Sequence, residues 1–224
     1  TQQEHLGPLA FHFYRAEAWE KALKYLSAAG ERARFAYAIR EAIDYFDKAV
    51  EVSRKIPDAV SQEQLMSLYE NRGRTFQVLM DMEKAADDFQ KEIDLARELG
   101  KKNIEAQALL NLALCYRPWG ALTDLNKVRK CLDKSRKLVR ETGDQAGEVR
   151  WNIMAGIQTL ISLGQDSESA TYLQEAINAC KKAGNRWTPG QSGASRKASA
   201  KPPLPSHWRS RPRQRSHPPG GTPR

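Results

Sequence analysis

Leu68-Tyr-Glu-Asn-Arg-Gly-Arg-Thr-Phe76 and Ala108-Leu-Leu-Asn-Leu-Ala-Leu-Cys-Tyr116 read as two versions of one phrase. Asn71 aligns with Asn111, Gly73 with Ala113 and Phe76 with Tyr116, at an offset of 40 residues. Self-similarity at such a period points to stacked helical hairpins, each burying its apolar side against its neighbours instead of in one central core. Stacks of this kind hold partners far more often than they perform chemistry.

Outward from these phrases, residues 1–184 read as helix throughout. Good helix formers dominate, and proline is limited to Pro8, Pro57 and Pro118. Apolar residues recur at helical spacing, as in Ala42, Tyr45, Phe46, Ala49 and Val50, or Leu109, Leu112, Ala113 and Tyr116. Pro57 ends a helix, because the residue before a proline is pushed out of helical geometry. Leu99-Gly100, Thr142-Gly143 and Ala183-Gly184 have the form of helix ends closed by glycine, spaced 43 and then 41 residues apart. Gly30 is expected to separate two short helices. The spacing predicts helices near 6–15, 18–28, 31–37, 39–55, 61–79, 82–99, 103–117, 122–141, 145–163 and 166–183.

After Gly184 the composition changes. Eight of the eleven prolines lie there, with nine basic residues and no acidic one. Of 36 basic residues, the 27 outside this tail balance the 27 acidic ones, so residues 1–184 are net neutral. The high isoelectric point belongs to the tail. Residues 185–224 are too poor in apolar side chains for a core and are expected to be a disordered basic tail. Three readings of it stand side by side. A basic arm could contact nucleic acid, with Trp187 and Trp208 stacking on bases. Linear motifs could lie in Pro202-Pro-Leu-Pro205 and Arg196-Lys-Ala-Ser199. Or the tail is out-of-frame text without biological meaning. No nucleic-acid contact is expected outside the tail.

Cys115, Cys131 and Cys180 form no CxxC pair, and four histidines offer no zinc spacing. Reduced thiols in a cytoplasmic protein are expected, with no metal or cofactor. No apolar run approaches the roughly 18 residues that a membrane span needs, and no signal peptide is visible. The chain begins at Thr1 and enters a repeat almost at once, which suggests a piece of a longer polypeptide. Asp87-Asp88 is expected on a solvated helix face. Catalytic motifs are missing: Gly190-Gln-Ser-Gly-Ala-Ser-Arg-Lys-Ala198 only loosely echoes a P-loop, and no HExxH or GxSxG occurs. No enzymatic activity is expected.

The hairpin pattern resembles the tetratricopeptide repeat. Its signature positions are matched by Tyr69, Arg72, Gly73, Phe76, Ala85 and Phe89, then by Leu109, Leu112, Ala113, Tyr116, Val128, Leu132 and Ser135 after an insertion around Arg117-Pro-Trp119. A third unit has Ala155, Gly156, Leu163-Gly164, Ala170, Leu173 and Ala176. The start fits through Leu9, Ala10, Phe13, Trp19, Ala22, Leu26 and Ala29. Arg72 and Glu92 depart from the pattern, standing at a usually apolar and a usually small position. Phe13 to Ala33 is similar to the segment that opens the repeat region of large signalling ATPases, among them class III nucleotide cyclases.

The resemblance implies an all-α right-handed superhelical solenoid of antiparallel helix pairs, whose first helices line a groove. The expected groove residues are Glu70, Asn71, Arg74 and Gln77, then Gln107, Asn111 and Arg117, with Arg150 near the third unit. An asparagine amide both donates to and accepts from a peptide backbone, whatever its side chains. Arg74 and Arg117 could select a carboxylate. The implied function is a scaffold holding a protein or peptide partner, as the regulatory part of a larger signalling protein. The alternative is a C-terminal fragment of an adenylate or guanylate cyclase or ATPase whose catalytic domain lies upstream. Self-association is a further expectation, because no polar capping helix follows Lys182.

Overall fold

In the computed structural model, which describes residues 5–117, 122–158 and 166–182, the periodic stretches are helices. They are α1 (Leu6–Arg15), α2 (Trp19–Phe35), α3 (Ile39–Lys55), α4 (Gln62–Val78), α5 (Met82–Glu98), α6 (Lys102–Cys115), α7 (Leu125–Thr142), α8 (Gln145–Gln158) and α9 (Asp166–Lys182). No strand occurs among the described residues. The chain is an all-α solenoid. The closest pairs are α2 with α3, α4 with α5, α6 with α7 and α8 with α9, and α1 packs on α2. First helices also touch down the stack, α2 to α4, α4 to α6 and α6 to α8. The apolar interior accordingly falls into overlapping clusters, one across α1–α4, one across α4–α7 and one across α6–α9. The expected disordered basic tail and Gly184 helix end within residues 183–224, and Pro118, Trp119, Leu163 and Gly164, lie outside the described residues.

A recurring small–large–small triplet fastens each hairpin. It reads Ala42, Phe46 and Ala49 in α3 and Ser169, Leu173 and Ala176 in α9, with valine at the first place of Val128, Leu132 and Ser135 in α7 and glutamate at the third place of Ala85, Phe89 and Glu92 in α5. The large member seats against a glycine of the first helix in three hairpins. A Cβ on Gly30 would lie 2.7 Å from the Phe46 ring, on Gly73 3.0 Å from Phe89, and on Gly156 2.8 Å from Leu173. Small residues here let helix axes approach until ring and backbone touch. Gly30 therefore does not divide two helices: it is buried inside the continuous α2, and the contact with Phe46 outweighs the roughly 1 kcal/mol that a mid-helix glycine costs. In α9 the buried small residue is Ser169, not the expected Ala170, because the Ser169 hydroxyl donates to the Gly156 carbonyl at 2.8 Å.

Asp88 also departs from expectation. It is 1 % exposed and accepts two bonds of 2.7 Å from the Arg72 guanidinium, which reaches Asp47 of α3 at 2.8 Å. Burial alone would lower the Arg72 pKa, but the bonds to Asp88 and Asp47 hold it raised. The charge at an apolar register position is thus a bidentate pair that ties α4 to α5 and α3. Asp87 beside it is exposed, as expected.

Helix ends are locally encoded. The Ser61 hydroxyl accepts from the Gln64 N–H while the Gln64 side chain accepts from the Ser61 N–H, a capping box that starts α4 after the Pro57 break. Asp81 and Asp124 cap α5 and α7 through the N–H groups of Lys84 and Lys127. Gly100 and Gly143 close α5 and α7 in left-handed geometry, at φ 64° and 63°, as their spacing predicts. Glu17, Tyr37 and Met80 take the same conformation at φ 56°, 60° and 62°, and the following N–H reaches back to Phe13, Ala33 and Phe76. A side chain there costs about 1–2 kcal/mol, partly offset by the chain entropy glycine adds to the unfolded state. Met80 is 70 % exposed, so its side chain contributes little packing. Met80→Gly is expected to stabilise the chain by about 0.5–1 kcal/mol, a rise of roughly 1–4 °C in a thermal melt. An unchanged or lower midpoint would contradict the assignment of strain to this turn.

Cys115 and Cys131 are buried, Cys180 is half-buried, and none is bonded to another. Burial pushes the Cys115 and Cys131 thiols up to about 11, so both are inert thiols.

Candidate functional site

The face formed by α2, α4 and α6 carries polar side chains in two groups. The first bridges α2 and α4. Asn71 donates to Glu31 at 3.2 Å and to the Ser67 carbonyl at 3.0 Å, and its oxygen accepts from Arg34 at 3.2 Å. Arg74 pairs with Glu70 one turn away at 3.1 Å. Burial raises the pKa of Glu31, Arg34 opposing and Glu70 adding, and burial with the nearby Arg74 lowers that of Arg34. The second group bridges α4 and α6. Gln77 donates to the Asn111 main-chain carbonyl at 2.9 Å, and Gln107 donates to the Asn111 side-chain oxygen at 3.4 Å.

Of the residues expected in the groove, Gln77 and Gln107 therefore both bond to Asn111, and Arg74 and Asn71 lie about one and two turns before Gln77 on α4. Arg117 stands apart at the end of α6, half-buried, with its guanidinium donating to the Leu114 carbonyl at 3.2 Å. Arg150 pairs with Asp144 at 3.3 Å. Asn111 is only 5 % exposed, and its Nδ2 has no hydrogen-bond partner. A buried donor without a partner costs about 1–3 kcal/mol, so native chains seldom keep one without a reason.

Glu31 and Arg34 are absent from the expected list, although the 40-residue offset that relates Asn111 to Asn71 leads back to Glu31, and the same step leads from Arg74 to Arg34. Reading Gly30 as a break hides this continuation of the ladder.

Glu92 of α5 also belongs to this neighbourhood. It is 1 % exposed, and its Oε2 has no partner. Burial, with Glu70 and Asp88 adding and Arg74 opposing, pushes its pKa up to about 9. The folded chain thus keeps a proton that an unfolded glutamate releases near 4.5. The folded state binds more protons across that interval, so this group's contribution to stability is fullest below about 4.5 and is lost as pH rises toward 9. Urea midpoints are expected to fall from pH 5.5 to 8.5, and Glu92→Gln is expected to flatten the slope. An equal slope in the variant would place the proton elsewhere.

No protein-family model matches the chain, and no curated protein matches it. Solved structures do resemble it. BtubC (BKLC) from P. vanneervenii superimposes at a TM-score of 0.62 over 82 % of this chain and 72 % of its own, with 14 % identity. Aspartyl phosphate phosphatase F from Bacillus subtilis superimposes at 0.60 over 79 % of this chain, also at 14 % identity. This chain spans half of that protein's length. At such identity the likeness is one of fold. Among the described residues no helix is long and apolar enough to cross a membrane.

Proposed function

We propose that the chain is a protein-interaction module that holds an extended peptide or protein segment along the face of α2, α4 and α6. Asn71, Gln77, Gln107 and Asn111 recognise its backbone, and Arg74 and Arg117 bias the choice of charge. The observation that carries this reading is the Asn111 Nδ2, a buried donor without a partner beside two glutamine amides. A peptide carbonyl would give it the bond it lacks. Asn71 would act by exchange, giving up Glu31 or Arg34 for the ligand. Such an exchange yields little net energy, on the order of 1 kcal/mol per bond, so these amides supply register more than affinity. The resemblance of Phe13 to Ala33 to a segment of large signalling ATPases supports a regulatory place within a longer protein.

The test separates binding from stability. Asn111→Leu removes the unpaired donor, so the variant is expected to be at least as stable as the wild type. Affinity for peptides selected from a random library is expected to fall about tenfold, the equivalent of roughly 1.4 kcal/mol. Unchanged affinity, measured by fluorescence anisotropy on a chain of native helicity, would refute recognition by this amide.

A further inference from the structure

The third place of the hairpin triplet is closed by a small residue in three of the four hairpins: Ala49, Ser135 and Ala176 are all buried there. Ala29 of α2, which repeats the triplet through Ala22 and Leu26, is buried too. The α4/α5 hairpin sets Glu92 at that place. Nothing in the packing needs a carboxyl group, since alanine closes the same contact elsewhere. Ser135 at the equivalent position satisfies its hydroxyl on the Ala106 carbonyl at 2.8 Å, whereas Glu92 leaves Oε2 without a partner. A buried ionisable group kept against both size and solvation is a candidate for a functional role.

The charges around it leave one place open. Glu31 is balanced by Arg34, and Glu70 by Arg74. The charges that act on Glu92 are Glu70 and Arg74 of α4 and Asp88 of α5, and Asp88 is already held by Arg72. An ionised Glu92 would therefore have no counter-charge of its own. An anion would meet Glu70 and Glu92 together; Arg74 is engaged by Glu70, and Arg34, whose buried Nε has no partner, is balanced by Glu31 and bonded to Asn71.

We propose that Glu92 is the floor of a subsite that receives one cationic side chain, lysine or arginine, from the segment bound along α4. This rests on the groove reading above. The half-exposed Glu70–Arg74 pair forms the rim, and the aliphatic stem of the incoming residue passes it to place its charge on the Glu92 carboxylate. One positive charge enters and the proton on Glu92 leaves to solvent, so the cluster stays neutral.

Panning a random heptapeptide library on the full chain tests this. Selected peptides are expected to share a lysine or arginine at one position. That preference is expected to vanish on Glu92→Gln, with the rest of the consensus retained. Glu92→Ala, which gives this place the alanine found at Ala49 and Ala176, is expected to act alike and guards against a folding defect. For one selected synthetic peptide, replacing its basic residue with norleucine is expected to weaken binding at least tenfold on the wild type and less than twofold on Glu92→Gln. Calorimetry in two buffers of different ionisation heat is expected to register release of about one proton per wild-type complex and none for the variant. A shared consensus without a basic position, or a basic position retained by Glu92→Gln, overturns the subsite while leaving the groove standing. If no peptide is enriched, the groove reading fails and takes the subsite with it.

Discussion

Asp88→Ala is expected to destabilise the chain by about 3 kcal/mol, seen as a lower urea midpoint. Breaking a buried ion pair costs roughly 3–5 kcal/mol, because the remaining charge stays buried without its partner. Here the lower end applies, since Arg72 keeps Asp47, whose side chain is half exposed. The companion variant discriminates between causes. Forty residues after Arg72 stands Leu112, and 43 after Asp88 stands Cys131, both buried. In the next hairpin the equivalent positions thus hold apolar side chains of one buried cluster. Arg72→Leu combined with Asp88→Ala is expected to lie within about 1 kcal/mol of the wild type, as apolar replacement of buried ion pairs is often neutral or better. A double variant as unstable as Asp88→Ala alone would mean that the pair does more than neutralise its own charges.

Phe46→Ala is expected to cost about 3–5 kcal/mol, the range for emptying a fully buried aromatic site. The converse, Gly30→Ala, places a methyl 2.7 Å from the ring and is expected to cost about 1–3 kcal/mol of overpacking, less the roughly 1 kcal/mol gained in helix propensity. In a stack held by neighbour contacts the loss should be local. Hydrogen exchange is expected to accelerate in α1–α4 of the Phe46 variant while α8 and α9 keep their protection. Uniform acceleration along the chain would show a single cooperative unit instead of a solenoid. For that reason amide protection is a better measure here than one global transition.

Much of the architecture is legible in the chain because its causes are local. The 3.6-residue apolar period marks each helix, Gly100 and Gly143 mark two ends, and the offset between Asn71 and Asn111 marks the repeat. Within the candidate site, the offset leads from Asn71 to Asn111, and Gln77 and Gln107, named by the resemblance to the repeat, are found bonded to Asn111. Glu31 and Arg34 lie equally within its reach, but Gly30 has the look of a break in the sequence. Asp88 differs from its expectation because the exposed neighbour Asp87 gives the pair a solvated look, and only a cation on another helix reverses that.

Composition and periodicity alone thus determined that this chain is a pile of helical hairpins with a neutral repeat region and a basic tail. Only tertiary contact decided that Gly30 would seat Phe46, that Arg72 would satisfy Asp88, and that Glu92 and Asn111 would be buried with an atom unpaired. The reason is one of range. A helix forms from bonds spanning four residues, whereas the worth of a glycine or a buried charge depends on a side chain that arrives 16 residues later, as Asp88 does for Arg72 and Phe46 for Gly30.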